Sequence, residues 1–438
     1  MPIEVSCECG GRFRAKDELA GRRVKCPKCG AVLTIPTPPI DLSDFDEEPS
    51  VKQHVPLPTR PASAADDSWD NDDDDAPPRR ALPVMAGPLL GGRPAREWLY
   101  LVLAITLIPL LVSTFHDQHE TLRDRLKQTL STHPEVRERL RARLDSGHLT
   151  ERALFSALPD HRFDGAWLSY GSEVQWLYAL IAAAAFFGLA VLMIPAATTK
   201  PLHVFFTGLF TGTAGVLLLL LVQLIAAGMR GHVIIPRSIV GLIFLVLKGI
   251  QLSYDAANDP NSNFFLSFLG FTLGVGLCEE ICKALPLLWH YRHRATLDWR
   301  GACLWGFLSG VGFGVSEAIM YSANHYNGIA GGETYLVRFI SCIGLHGIWA
   351  AAAGIFICKH QNLIQDAENW YSQLTSAAAL VSVPMVLHGL YDTMLKKEMN
   401  GAALCVAIVS FAWLVFQVEQ ARRQEQQGTT SRRAPAYA

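Results

Sequence analysis

Apolar and polar positions are sorted, not mixed, along this chain of 438 residues. Almost no apolar run occurs before Trp98, and beyond it long apolar stretches alternate with short polar breaks. The stretches at 98–115, 174–199, 201–229, 260–289, 301–324, 339–358, 370–391 and 399–418 read as helices long enough to cross ~30 Å of hydrocarbon. A shorter apolar piece between Arg237 and Lys248 reads as interfacial or re-entrant. Making it a crossing would move the basic cluster at 290–294 and the C-terminal arginines to the outer side, against the tendency of Lys and Arg to stay cytoplasmic. The expected fold is an all-α polytopic membrane helix bundle of about eight transmembrane helices. Lys396 and Lys397 are the basic pair that this path leaves on the outer side. Between the first two crossings, Leu122, Leu126, Leu130 and Val136, Leu140, Leu144 recur at helical spacing, which predicts an extracytoplasmic helical insertion over 116–172.

Composition agrees with that pattern: half of the residues are apolar and only 18% are charged, with a mean hydropathy of +0.21. The net charge of −2 is uninformative, since a near-neutral total hides basic and acidic blocks that can face different compartments, and no nucleic-acid partner is expected. The absence of an apolar run before Trp98 argues against a signal peptide. The N-terminus is therefore expected in the cytoplasm, and the chain in the cell (inner) membrane as a multi-pass protein.

Four domains are expected: 1–36, 37–95, 96–420 and 421–438. In the first, Cys7-x-Cys9-Gly10 and Cys26-x-x-Cys29-Gly30 place four thiols in two tight turns. Four thiolates satisfy tetrahedral zinc, and a unit this short has little core to fold around otherwise, so residues 1–36 read as a zinc ribbon with a structural ion. Its Arg12, Arg14, Arg22, Arg23 and Lys25 are read as a solvated face rather than a DNA contact, and a cytoplasmic partner of the ribbon is a further expectation. The proline-rich segment 37–95, with Asp72 to Asp75, reads as a disordered acidic linker. Residues 421–438 read as a disordered tail. The other six cysteines lie scattered in apolar runs and read as small buried residues.

The chemistry is expected inside the membrane. A charged side chain in hydrocarbon costs about 2.5 kcal/mol or more, so one that persists has a partner or a task. Glu279, Glu280 and Lys283 share one stretch, with the lysine four and three residues after the acids, within helical reach of both. The surplus negative charge calls for a shared proton, a metal ion or a donor from another helix. Glu317 lies seven and three residues after Gly310 and Gly314, on the face where small residues let another helix approach. His346 and His388 occupy two further stretches, and Asp392 lies one turn beyond His388, where it can orient the imidazole. Seven ionisable residues on four consecutive stretches are hard to explain as packing.

Taken in order, Glu279-Glu280-x-x-Lys283, Phe313-x-x-x-Glu317, His346 and His388-x-x-x-Asp392 resemble the PrsW family of intramembrane proteases. They are more distantly similar to the CAAX-processing and bacteriocin-processing (CPBP) membrane proteases. The resemblance covers about residues 260–395. It implies an intramembrane endopeptidase acting on membrane-associated substrates in regulated proteolysis, with an anti-sigma factor-like membrane protein as the substrate type. Glu279 or Glu280 would activate water, Lys283 would hold the other glutamate, and Glu317, His346 and His388 would either bind a catalytic zinc or stabilise the oxyanion. A proton-coupled transporter or channel is the competing reading, since acids and histidines within spans also build proton relays. An inactive membrane receptor is the third.

Overall fold

In the computed structural model, residues 3–6, 12–15, 23–26, 28–29, 31–34, 100–115, 122–145, 150–193, 199–231, 238–293 and 297–433 are described. The chain divides into two compact units, Met1–Arg79 and Arg80–Ala438. The first contains two antiparallel hairpins. β1 (Ile3–Ser6) pairs with β2 (Arg12–Ala15), and β3 (Arg23–Lys25) pairs with β4 (Val32–Thr34). Cys26 is buried and Cys29 exposed in the turn after β3, and Cys26 N–H donates to Ala31 O at 2.8 Å. Cys7 and Cys9 lie outside the described residues, as does the linker.

The second unit is built of helices and holds no strand among its described residues. Helix α1 (Tyr100–Phe115) leads into the insertion helices α2 (Leu122–Thr132), α3 (Pro134–Asp145) and α4 (Glu151–Ala157). The long helices follow: α5 (Val174–Met193), α6 (Pro201–Ala227), α7 (Ile239–Asn258), α8 (Phe264–His293), α9 (Trp299–Tyr326) and α10 (Gly332–Lys359). The chain ends with α11 (Trp370–Leu380), α12 (Ser382–Lys396) and α13 (Asn400–Arg433). Side chains set several of the starts. Ser238, Asn263, Asp298 and Asn369 each accept a backbone N–H of the first turn they precede. A 60° bend separates α11 from α12. Pro384 explains it, since its ring has no N–H to continue the ladder from α11 and displaces the carbonyl four residues back.

Among the described residues seven helices, α5 to α10 and α13, are long and apolar enough to cross a membrane, and the bent α11–α12 pair makes an eighth candidate. The contacts between helix ends decide the path. Tyr100 donates to Glu419, and Arg300 pairs with Glu425 through two bonds of 2.8 and 2.7 Å, so the starts of α1 and α9 share one level with the end of the last span. At the opposite level the insertion meets the loop after α9, through Phe163 N–H to Gly328 O and Trp167 N–H to Ala330 O. Although shorter than the ~20 residues of a full span, α1 therefore runs from one level to the other.

Helix α7 is longer than the ten-residue apolar piece visible in the sequence, because its polar residues are paired locally. Lys248 donates to Met229 O and Gln251, and Arg230 pairs with Asp255 at 2.6 Å. Arg230 follows α6 and Asp255 ends α7, so α6 ends at the level where α8 begins and the intervening chain makes no net crossing. Lys396 and Lys397 sit at this level as helix caps: Lys396 Nζ donates to the carbonyls of Ala257 and Asp259, and Lys397 Nζ to that of Ser262. Their charge answers orphan carbonyls, which accounts for their departure from the positive-inside pattern.

The insertion forms three helices around Val136, Leu140, Phe155, Leu158 and Phe163. The tail expected to be disordered from residue 421 instead continues α13 to Arg433. Arg422–Glu419 and Arg300–Glu425 pairs brace it.

Helix α10 is the centre of the bundle, with every residue from Ser341 to Ile355 buried. Helix α9 lies directly against it because Gly306 and Gly310 face the backbone oxygens of Ala350 and His346, and a methyl group at either position would collide with them. Gly310→Val is expected to cost about 1–3 kcal/mol of stability by overpacking, read as a lower unfolding temperature in detergent.

Candidate active site

Four of these helices bring ionisable groups to one place near the middle of the bundle. In α8 a π-helical turn over Phe271–Gly276 directly precedes Leu277. Such a turn inserts an extra residue and re-aims the side chains after it, a feature that recurs at functional sites. Beyond it, Lys283 Nζ donates to Glu280 Oε1 at 2.7 Å and lies 3.5 Å from Glu279 Oε2. Nζ also sits over the ring of Phe313, 4.5 Å from its centroid. Lys283 and Glu280 side chains are fully buried.

Nζ makes a third contact, with His346 Nδ1 at 2.7 Å. An ammonium only donates, so Nδ1 accepts and the ring's proton resides on Nε2. That nitrogen donates to Glu317 Oε2 at 2.6 Å. The other oxygen of Glu317 pairs with Arg338 Nη1 at 3.2 Å. From α12, His388 Nδ1 lies 3.0 Å from Glu280 Oε1, while its Nε2 faces Glu279 at 3.7 Å and Asp392 at 3.4 Å. Trp349 stacks on the His388 ring at 4.5 Å and fixes its plane. An unbroken chain of contacts thus runs from Arg338 through Glu317, His346, Lys283 and Glu280 to His388.

A cavity of about 470 Å³ opens on this chain. Glu279, Glu317, His346, His388 and Asp392 line it, whereas Glu280 and Lys283 stand behind its wall. Within the contact chain and Glu279 and Asp392 beside it, with every acid ionised, four carboxylates face one ammonium and one guanidinium, while Lys396, which also lines the cavity, is tied to the carbonyls of Ala257 and Asp259. Two negative charges remain, which a divalent cation or two protons would cancel.

All seven residues singled out in the sequence converge, with differences in detail. Glu280, rather than Asp392 alone, orients His388, because it takes Nδ1 and leaves Nε2 between Glu279 and Asp392. The expected metal set was Glu317, His346 and His388. The group whose ligand atoms all lie within 4.8 Å of one another is Glu279, His346 and His388. A tetrahedral site with ~2.1 Å bonds separates its ligand atoms by about 3.4 Å, near the 3.7 Å between His388 Nε2 and Glu279. Two imidazoles and a carboxylate suit a metal ion in type and spacing. To join, His346 would exchange one of its two present partners. Arg338 went unnoticed in the sequence because the apolar run was started at residue 339. The helix begins at Gly332, so this arginine is inside the span, and a lone base directly ahead of the apolar run that carries His346 is the signal that would have found it.

Residues 232–418 match the profile of the PrsW family intramembrane metalloprotease. No curated protein and no solved structure matches the chain.

Proposed function

Residues 232–418 belong to the PrsW family of intramembrane metalloproteases, and on that premise we propose that Glu279 is the general base of peptide-bond hydrolysis within the bilayer. The observation that carries this is positional: of the two adjacent glutamates, Glu279 lines the cavity and Glu280 is sealed behind it by Lys283 and His388. A carboxylate on a low-dielectric cavity can take a proton from water and return it to the leaving amine. Lys283 holds Glu280, and Glu280 holds His388 with its Nε2 toward the cavity. His346, pinned by Glu317, presents its edge to the same space.

His346, His388 and one oxygen of Glu279 are the groups that would hold a metal ion, zinc by donor type, which leaves the other Glu279 oxygen to take the proton. Such an ion would polarise the scissile carbonyl and lower the pKa of water. Around it the protein's part is to fix ligand geometry, exclude bulk water and balance charge through Lys283 and Arg338. Cys7, Cys9, Cys26 and Cys29 are proposed to hold a second, structural zinc. The two-hairpin arrangement supports this, since each cysteine pair falls in sequence between paired strands.

The family resemblance supports substrates that are membrane-anchored proteins of the anti-sigma factor type, cleaved in regulated proteolysis. The same resemblance supports an inner-membrane location with the N-terminus in the cytoplasm, where the ribbon would recruit a cytoplasmic partner. Metal analysis tests the two-ion account. The full-length chain is expected to hold two ions, the Cys26→Ser/Cys29→Ser variant one, and that variant with His388→Ala added none. A purified Cys26→Ser/Cys29→Ser variant without metal and with full activity would refute the membrane metal site.

A further inference from the structure

Arg338, so far counted only for its charge, stands at one end of the contact chain. Its side chain is 13% exposed and faces the cavity that Glu279 lines. Nη1 meets Glu317 Oε1 at 3.2 Å and Nη2 donates to Tyr326 OH at 3.1 Å. The guanidinium carbon lies 3.9 Å from the ring centroid of Tyr321, within cation–π range. Two rings and two polar contacts hold this group on three sides. It stands in a π-helical turn, Val337–Cys342, and Tyr326 closes another, Ser322–Tyr326.

The clamp is anchored from outside the bundle as well. Directly after Tyr326, Asn327 Nδ2 donates to Ser172 O, Gly328 exchanges backbone hydrogen bonds with Phe163 and Leu168, and Arg125 donates to Ile329 O at 2.6 Å. The insertion therefore fixes the loop that carries Tyr326, Tyr326 fixes Arg338, and Arg338 fixes one oxygen of Glu317.

We propose that Arg338 is a positioning residue for the hydrolysis: by holding Glu317 Oε1 it aims Oε2 at His346 Nε2 and so sets the tautomer and ring orientation that His346 presents to the cavity. This rests on the reading of the cavity as a peptidase site. An arginine suits the task because its planar fork can serve Glu317 and Tyr326 at once while stacking on a ring. A lysine would supply charge to Glu317 but not the second bond.

Kinetics in reconstituted vesicles, with Glu279→Gln run beside the arginine variants, separates the possibilities. Arg338→Gln is expected to lower kcat about 10–100-fold, as for other groups that orient a catalytic imidazole, with KM unchanged. Arg338→Lys should recover part of kcat, and Tyr326→Phe should fall between wild type and Arg338→Gln. Full kcat in Arg338→Gln beside an inactive Glu279→Gln overturns the positioning role while leaving the peptidase reading intact. Equal losses in Arg338→Gln and Arg338→Lys, matched by a lower unfolding temperature, reduce Arg338 to a structural residue and also overturn it. An active Glu279→Gln overturns the peptidase reading, and this proposal with it.

Discussion

Glu279→Gln is expected to cleave a membrane substrate about 10²–10⁴-fold more slowly than the wild type, the range associated with a lost general base, while unfolding at nearly the same temperature. The amide keeps the shape of the side chain and removes its ability to take a proton. Stability should change little because Glu279 is the looser partner of Lys283, at 3.5 Å against 2.7 Å for Glu280. Glu280→Gln is a different experiment. Glu280 touches Lys283 and His388 but not the cavity, so its loss should lower stability together with rate. Progress curves and thermal unfolding on both variants separate the two patterns, and a stable, inactive Glu280→Gln beside an active Glu279→Gln would exchange their roles.

Lys283→Met is expected to destabilise the protein by about 3–5 kcal/mol, the usual cost of stripping one partner from a buried ion pair. The methionine fits the volume beside Phe313, so packing is not the cause. What changes is charge. Glu280, already carrying one oxygen (Oε2) that is buried without a hydrogen-bond partner, would lose its ammonium, and His346 Nδ1 would lose its donor. Adding Glu280→Gln to Lys283→Met removes the stranded charge and should restore part of the stability. A double variant as unstable as the single one would show that the ammonium acts through His346 instead. Unfolding in detergent, followed by circular dichroism, reads this directly.

Much of this arrangement was legible in the residues alone. The cost of a charge in hydrocarbon made Glu279, Glu280, Lys283 and Glu317 visible, and the glycine spacing before Glu317 placed it on the face toward the bundle interior. Helix ends were less legible. Arg338 looked like the flank of a span because hydropathy alone cannot say that α10 starts at Gly332 or that Arg338 pairs with Glu317. For the same reason α7 was seen as a short piece. Lys248 and Asp255 interrupt its apolar pattern, and the sequence cannot show that each finds a local partner. Which glutamate faces the cavity was beyond reach, since the π-helical turn over Phe271–Gly276 sets the phase of α8 and leaves no pattern at the residues it rotates.

The decisive measurement is single-turnover cleavage of a one-span membrane peptide by the purified chain in vesicles made in H₂¹⁸O, with the products sequenced by mass spectrometry. The account predicts new termini within or at the edge of the membrane segment, ¹⁸O in the new carboxyl group, and no product from Glu279→Gln on the same timescale. Labelled product appearing at the wild-type rate from Glu279→Gln would contradict it.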